Sequence, residues 1–135
     1  MSVCLDSWGV LAWLRDEPHA GDRVDRLLAA GPAVMSWVNA VEVYYQVERA
    51  HSRTDADQTL RELRRTVALE LPGTGRMVDT ARLKAAHAIA LGDCFAIATA
   101  TAHNLPLATG DPEILDARSS LRCELIDLRA PARPA

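Results

Sequence analysis

The order of apolar segments constrains the fold most. Three- to five-residue apolar runs at Ser2–Leu5, Ala33–Met35, Val67–Leu71, Leu105–Ala108 and Glu124–Leu128 are too short for helices and read as strands. Between them lie stretches of helical period: Trp8–Leu14, Ala20–Ala30, Ser36 to about Ser52, Asp55–Arg65, Gly75–Ala90, Asp93–His103 and Pro112–Ala117. Strands separated by one or two helices imply right-handed crossovers and a mostly parallel sheet. The expected fold is α/β, about five short strands flanked by helices, in a single domain over residues 1–128. Residues 129–135, rich in Pro, Ala and Arg, are expected to fray.

Length and composition agree. The chain has 135 residues, enough for one domain, and 49% are hydrophobic. Aromatic residues are only 4%, so aliphatic side chains must fill the core. No apolar run approaches the ~20 residues of a membrane span. Asp6 arrives too early for a signal peptide, so a soluble, cytoplasmic protein is expected, with no membrane partner. Cys4, Cys94 and Cys123 are odd in number and widely spaced, which argues against disulfides or a zinc site. The four histidines show no metal-ligand spacing.

In open parallel sheets the functional crevice lies beyond the carboxyl ends of the strands. Four carboxylates border or interrupt apolar runs: Asp6 after Val3-Cys4-Leu5, Glu42 within Val38–Val43, Asp93 before Cys94-Phe95-Ala96-Ile97, and Asp111 after Leu107-Ala108-Thr109-Gly110. Acids beside core segments lose hydration unless something pairs with them. Taken singly, Asp6, Asp93 and Asp111 also read as helix N-caps, Asp111 with Pro112 in the first turn. Glu42 does not: Val38, Val41 and Tyr45 at i, i+3 and i+7 form an expected core-facing stripe, and Glu42 lies on it. A salt bridge to an arginine is its structural alternative. Asp116 reads as a surface residue or a peripheral ligand.

The formal net charge of −3 argues against a nucleic-acid partner until the four acids are set aside. The remaining 14 acids face 15 basic residues, leaving about +1, and 14 of the 15 are arginine, suited to bidentate phosphate contacts. Coding bias explains the arginine content equally well. Arg15 and Lys84 are the basic residues nearest the acids in sequence.

Together, Leu5-Asp6-Ser7, Ser36-Trp37-Val38-Asn39-Ala40-Val41-Glu42, Leu91-Gly92-Asp93-Cys94-Phe95-Ala96 and Thr109-Gly110-Asp111 resemble the motifs of the PIN-domain ribonucleases. Within them they are most similar to the VapC-type toxins of bacterial toxin–antitoxin pairs, over about residues 2–128. Family members often carry Ala where this chain has Gly92 and Cys94, differences expected not to touch the acid. The resemblance implies a Mg²⁺-dependent endoribonuclease, Mn²⁺ being a possible substitute. Asp6, Glu42, Asp93 and Asp111 would be its metal and catalytic residues, with Ser7, Ser36 and Thr109 orienting carboxylates or water. It implies 3′-hydroxyl and 5′-phosphate products, a homodimer, and a VapB-type antitoxin that blocks the acidic pocket. Trp37, Tyr44 and Tyr45 are candidate contact surface for that partner, with core packing the competing role. The runner-up is a non-catalytic PIN-like module that binds RNA or protein. A haloacid-dehalogenase-like phosphatase would want Asp at position 8, where Trp stands, and a receiver domain would want an acidic pair near the first strand.

Overall fold

A computed structural model describes residues 2–129. The elements run β1 (Val3–Leu5), α1 (Ser7–Leu14), α2 (Ala20–Ala30), β2 (Ala33–Ser36), α3 (Trp37–Ala50), α4 (Arg53–Thr66), β3 (Ala68–Glu70), α5 (Thr74–Ala86), α6 (Leu91–His103), β4 (Leu107–Thr109), α7 (Pro112–Asp116) and β5 (Leu125–Asp127). All five strands are parallel, in the order β3-β2-β1-β4-β5, as the α/β reading expected. The expected fraying at 129–135 concerns residues 130–135, which lie outside the described residues.

The central strands β2, β1 and β4 are largely buried on both faces, and their side chains alternate between two cores. Val3, Leu5 and Met35 join Val10, Val24, Val43 and Leu63 on the side covered by α1 to α4. Cys4 and Leu107 join Ile97, Ala100 and Ile114 on the side covered by α6 and α7, with Leu83 of α5 packed against them. Helices on both faces of a parallel sheet explain why the strand segments read as continuous apolar runs.

The strand order has a functional consequence. The chain builds β1, β2 and β3 outward in one direction, then crosses to lay β4 on the other side of β1. The chain therefore diverges between the carboxyl ends of β1 and β4, which leaves a crevice there. Asp6 directly follows β1, and Asp111 lies two residues beyond β4.

Several boundaries differ from the sequence reading by a residue or two, and the largest departure lies between α5 and α6. The helix expected over Gly75–Ala90 ends at Ala86, and His87 and Ala90 are extended. No Gly or Pro marks this break. It is made by tertiary contacts: Ile89 is buried, and Lys84 Nζ donates to the Ile89 carbonyl at 2.9 Å. The following helix then starts at Leu91 rather than Asp93. Asn104, expected to end that helix, does so in the left-handed conformation with φ 53°.

Candidate active site

Asp6 emerges from β1 into the first turn of α1. One carboxylate oxygen accepts from the Gly9 amide at 2.8 Å, and the other accepts from the Thr109 hydroxyl. Thr109, the last residue of β4, accepts in turn from the Asp111 amide at 3.0 Å. Its hydroxyl thus ties the first acid to the backbone of the fourth across the gap between the two strands. Asp111 caps α7 by accepting from the Glu113 amide at 2.9 Å. Both acids therefore do cap helices. Capping does not account for the burial of Asp6, which is 0% exposed. Burial pushes its carboxyl up to about 7, the Thr109 and Gly9 hydrogen bonds oppose the rise, and the Asp111 charge adds to it.

For Asp93 the cap reading is wrong. The N-cap of α6 is Ala90, and Asp93 sits inside the first turn, buried, with its carboxylate free of that duty. Burial, then the neighbouring charges of Asp111, Asp6 and Glu42, push its carboxyl up to about 8. Several acids share one volume too small for all of them to ionise cheaply.

Glu42 requires a correction of argument. The stripe of Val38, Val41 and Tyr45 does not face the core: Val41 is 57% exposed and Tyr45 40%. The buried face of α3 is Asn39, Ala40 and Val43, and Glu42 stands half-buried at its border. Tyr45 instead lies under the Arg49 guanidinium at the surface, 5.1 Å from its ring centroid. Neighbours other than that stripe fix Glu42. Ser7 Oγ donates to its Oε1 at 3.2 Å, and the fully buried Asn39 donates to the same oxygen at 2.9 Å. Asn39 also donates to the Gly92 carbonyl at 3.0 Å, which couples α3 to the start of α6. No arginine pairs with Glu42 among the described residues, so the salt-bridge alternative does not hold.

Gly92 bears on this acid after all. A Cβ there would lie 2.6 Å from Glu42 Cδ and 2.7 Å from Oε1. Glycine is the residue that lets the Glu42 carboxylate approach the helix backbone. Gly110 does the same for the Trp8 ring, which a Cβ at that position would strike.

Oxygens of Asp93, Asp111 and Glu113 lie within 4.8 Å of one another. Of the four expected metal residues this group holds Asp93 and Asp111 and leaves out Asp6 and Glu42; sequence reasoning missed Glu113 and weighed Asp116, which is exposed and also outside the group. The usable signal is Asp111-Pro112-Glu113 itself: cap and second helical residue put both carboxylates at the same end of α7. Glu113 also accepts from the Ala90 amide at 3.2 Å, drawing α7 to the start of α6. Beside these acids lies a cleft of about 310 Å³ lined by Ser7, Trp8, Arg15, Glu42, Asp93 and Asp111, among others. Of the sequence-predicted hydroxyl residues, Ser7 and Thr109 contact acids, whereas Ser36 accepts from the Val38 amide at 3.2 Å as the cap of α3. Of the two predicted basic residues, Arg15 lines the cleft and Lys84 holds the α5–α6 connection.

The donor set is oxygen only, hard and multiply anionic. It suits a hard divalent cation rather than zinc or copper, which favour nitrogen and sulfur. Such an ion would offset the burial, and the repulsion added to it, that raise the proton affinity of Asp6 and Asp93.

Among curated proteins, none matches the chain at a significant level of sequence similarity. Solved structures do match in fold. The VapBC2 structure from Rickettsia felis, bound to a DNA fragment from its promoter, has a TM-score of 0.73 at 14% identity, covering 94% of this chain and 98% of that one. VapBC-1 from nontypeable Haemophilus influenzae gives 0.73 at 18% identity, covering 96% and 100%. Mycobacterium tuberculosis VapC20, a toxin that cleaves the sarcin-ricin loop, gives 0.70 at 14% identity, covering 85% and 94%. The PIN domain profile matches residues 3–119, a span that holds all four acids, and the chain belongs to the PIN-domain family.

Proposed function

We propose that this protein is a Mg²⁺-dependent endoribonuclease and the toxin of a VapBC-type pair. One observation carries the reading: Asp93, Asp111 and Glu113 come within ligating distance of one another beside the crevice between β1 and β4, the charges of Asp6 and Glu42 act on Asp93, and Glu42 has no cationic partner among the described residues. Such an arrangement costs stability unless a cation completes it.

Asp6, Glu42, Asp93 and Asp111 would hold Mg²⁺, or Mn²⁺ in its place, with Glu113 close enough to Asp93 and Asp111 to contribute. A bound ion of this kind polarises a phosphoryl oxygen and makes water a better nucleophile. The chain's own residues supply the positioning. Thr109 fixes the Asp6 carboxylate from β4 and sets the Asp111 backbone by the same hydroxyl. Ser7 and Asn39 fix one oxygen of Glu42 and leave the other available. Asp93, whose carboxyl burial and the neighbouring acids push up to about 8, would give up its proton to join the ligand set of a bound cation. Hydrolysis in line would leave a 3′-hydroxyl and a 5′-phosphate.

The partner reading rests on the family and on the surface. The matched complexes are toxin–antitoxin pairs, which supports a VapB-type antitoxin here. Exposed Val41, Leu71, Met77, Val78 and Leu91 lie on α3, the β3–α5 turn, α5 and α6, where α3 packs on α6 and α6 on α5. An apolar set of this kind supports a homodimer. No helix of the described residues is long and apolar enough to cross a membrane, and the proposed site of action is the cytoplasm. Residues 1–128 would form the PIN domain.

The test is cleavage of structured RNA by wild type, Asp6→Asn and Asp93→Asn, each with Mg²⁺ and with EDTA. Wild type is expected to cut only with the metal, and both variants to lose at least about a hundred-fold. Cleavage in EDTA, or full activity in both variants, would sink the mechanism.

A further inference from the structure

The acid cleft does not end at its acids. A second groove, of about 280 Å³, lies between α1, α3 and α4, and it shares Leu11, Arg15 and Gln46 with the acid cleft. Beyond the shared residues it is lined by His51, Gln58 and Thr59, among others. From Glu42 to His51 the α3 axis advances about 13 Å at 1.5 Å per residue. That is the length of three to four stacked nucleotides at about 3.4 Å per step.

We propose that the RNA strand leaves the acid cleft along this groove, with Arg15 holding a backbone phosphate at the junction and Gln46 and Gln58 contacting the bases. The inference rests on the nuclease reading for the position of the scissile phosphate. Three observations support it. Arg15 is exposed, lines both clefts and makes no ion pair among the described residues, so its guanidinium is available to a phosphate. Glutamine amides hydrogen-bond to base edges, as single-stranded RNA recognition requires. The apolar Leu11, Leu14 and Val47 give the groove patches against which bases can lie. Placing a cation beside a cluster of acids also solves an electrostatic problem: a strand approaching that cluster needs an attractive contact just outside it. Asp55 also lines the groove and narrows the phosphate-compatible path to its Arg15 side.

The test measures binding of a short mixed-sequence single-stranded RNA in Mg²⁺, in an Asp93→Asn background that leaves the RNA uncut. Arg15→Ala is expected to raise Kd about ten-fold, the usual size for a lost charge-assisted hydrogen bond. It should also flatten the slope of log K against log salt by about 0.7, one phosphate contact on a single strand. Arg15→Lys should keep the slope. Arg82→Ala, an exposed arginine on α5 paired with Asp79, removes the same charge and should change neither quantity. Combined Gln46→Ala and Gln58→Ala should weaken binding without altering the slope. Equal Kd and slope for Arg15→Ala and the parent overturn the proposal and leave the groove to a protein partner. Equal losses for Arg15→Ala and Arg82→Ala overturn it as well, since net charge alone would then explain both. Arg15-dependent binding by a wild-type protein that does not cleave would sustain the track while removing the nuclease reading.

Discussion

Replacing Asp93 by Asn should stabilise the metal-free protein at alkaline pH. The wild-type carboxyl is pushed up from 3.8 to about 8, first by burial and then by Asp111, Asp6 and Glu42. In the unfolded chain it ionises near its ordinary value. A raised folded pKa contributes stability that is complete below the unfolded pKa and is lost as pH rises through the folded one. Between about pH 4 and pH 8 the wild type should therefore lose stability steadily. Linkage at about 1.4 kcal/mol per pH unit sets a ceiling of roughly 6 kcal/mol. The cleft opens to solvent and the proton is shared among several acids, so about 2–3 kcal/mol is the expected loss. Asn keeps the shape and cannot ionise. Urea denaturation in EDTA at about pH 5 and about pH 8.5 measures the difference, since the midpoint times the slope gives the free energy. Wild type and variant should be close at acid pH, with the variant ahead by ~2–3 kcal/mol at alkaline pH, or about 10 °C in Tm for a domain of this size. Millimolar Mg²⁺ at alkaline pH should restore the wild type and leave the variant unchanged. Parallel pH profiles for the two proteins would refute the reasoning, because the proton would then not reside where four acids meet.

Other outcomes follow from single contacts. Gly92→Ala places a methyl against the Glu42 carboxylate, which Ser7 and Asn39 hold in place, so RNA cleavage should fall about ten- to a hundred-fold with little change in Tm. Unchanged turnover would mean that the position of Glu42 is not critical. Thr109→Val removes the donor to the buried Asp6 and the acceptor for the Asp111 amide, and should cost about 1–3 kcal/mol by denaturation as well as activity. Val41→Glu with Leu71→Glu should shift a dimer to monomer in sedimentation analysis, and a monomeric wild type would remove the dimer from the account.

The fold was legible because it rests on patterns that period-counting detects. The central strands β2, β1 and β4 are largely buried on both faces, so they read as short apolar runs, and the helices between strands dictate parallel pairing. Asp6 and Asp111 could be placed at the functional edge because each lies within two residues of a strand end. Glu42 was singled out for a mistaken reason. Its stripe faces solvent: Val41 and Tyr45 are exposed, and the buried face of α3 is Asn39, Ala40 and Val43. The N-terminal limit of α6 was not legible, since Ile89 and Lys84 set it through tertiary contacts and no residue in the segment breaks a helix. Glu113 was missed because its partner Asp93 is distant in sequence, and only the seating of α7 against the start of α6 brings them together.

The central claim is that these acids form one divalent-cation site, and direct titration with Mn²⁺ followed by electron paramagnetic resonance tests it without reference to activity. Wild type should remove free Mn²⁺ from the spectrum, with Mg²⁺ competing for the same site, while Asp93→Asn and Asp6→Asn weaken binding at least about ten-fold. Equal Mn²⁺ binding by wild type and both variants would contradict the account, because the four acids would then be neighbours in the fold and nothing more.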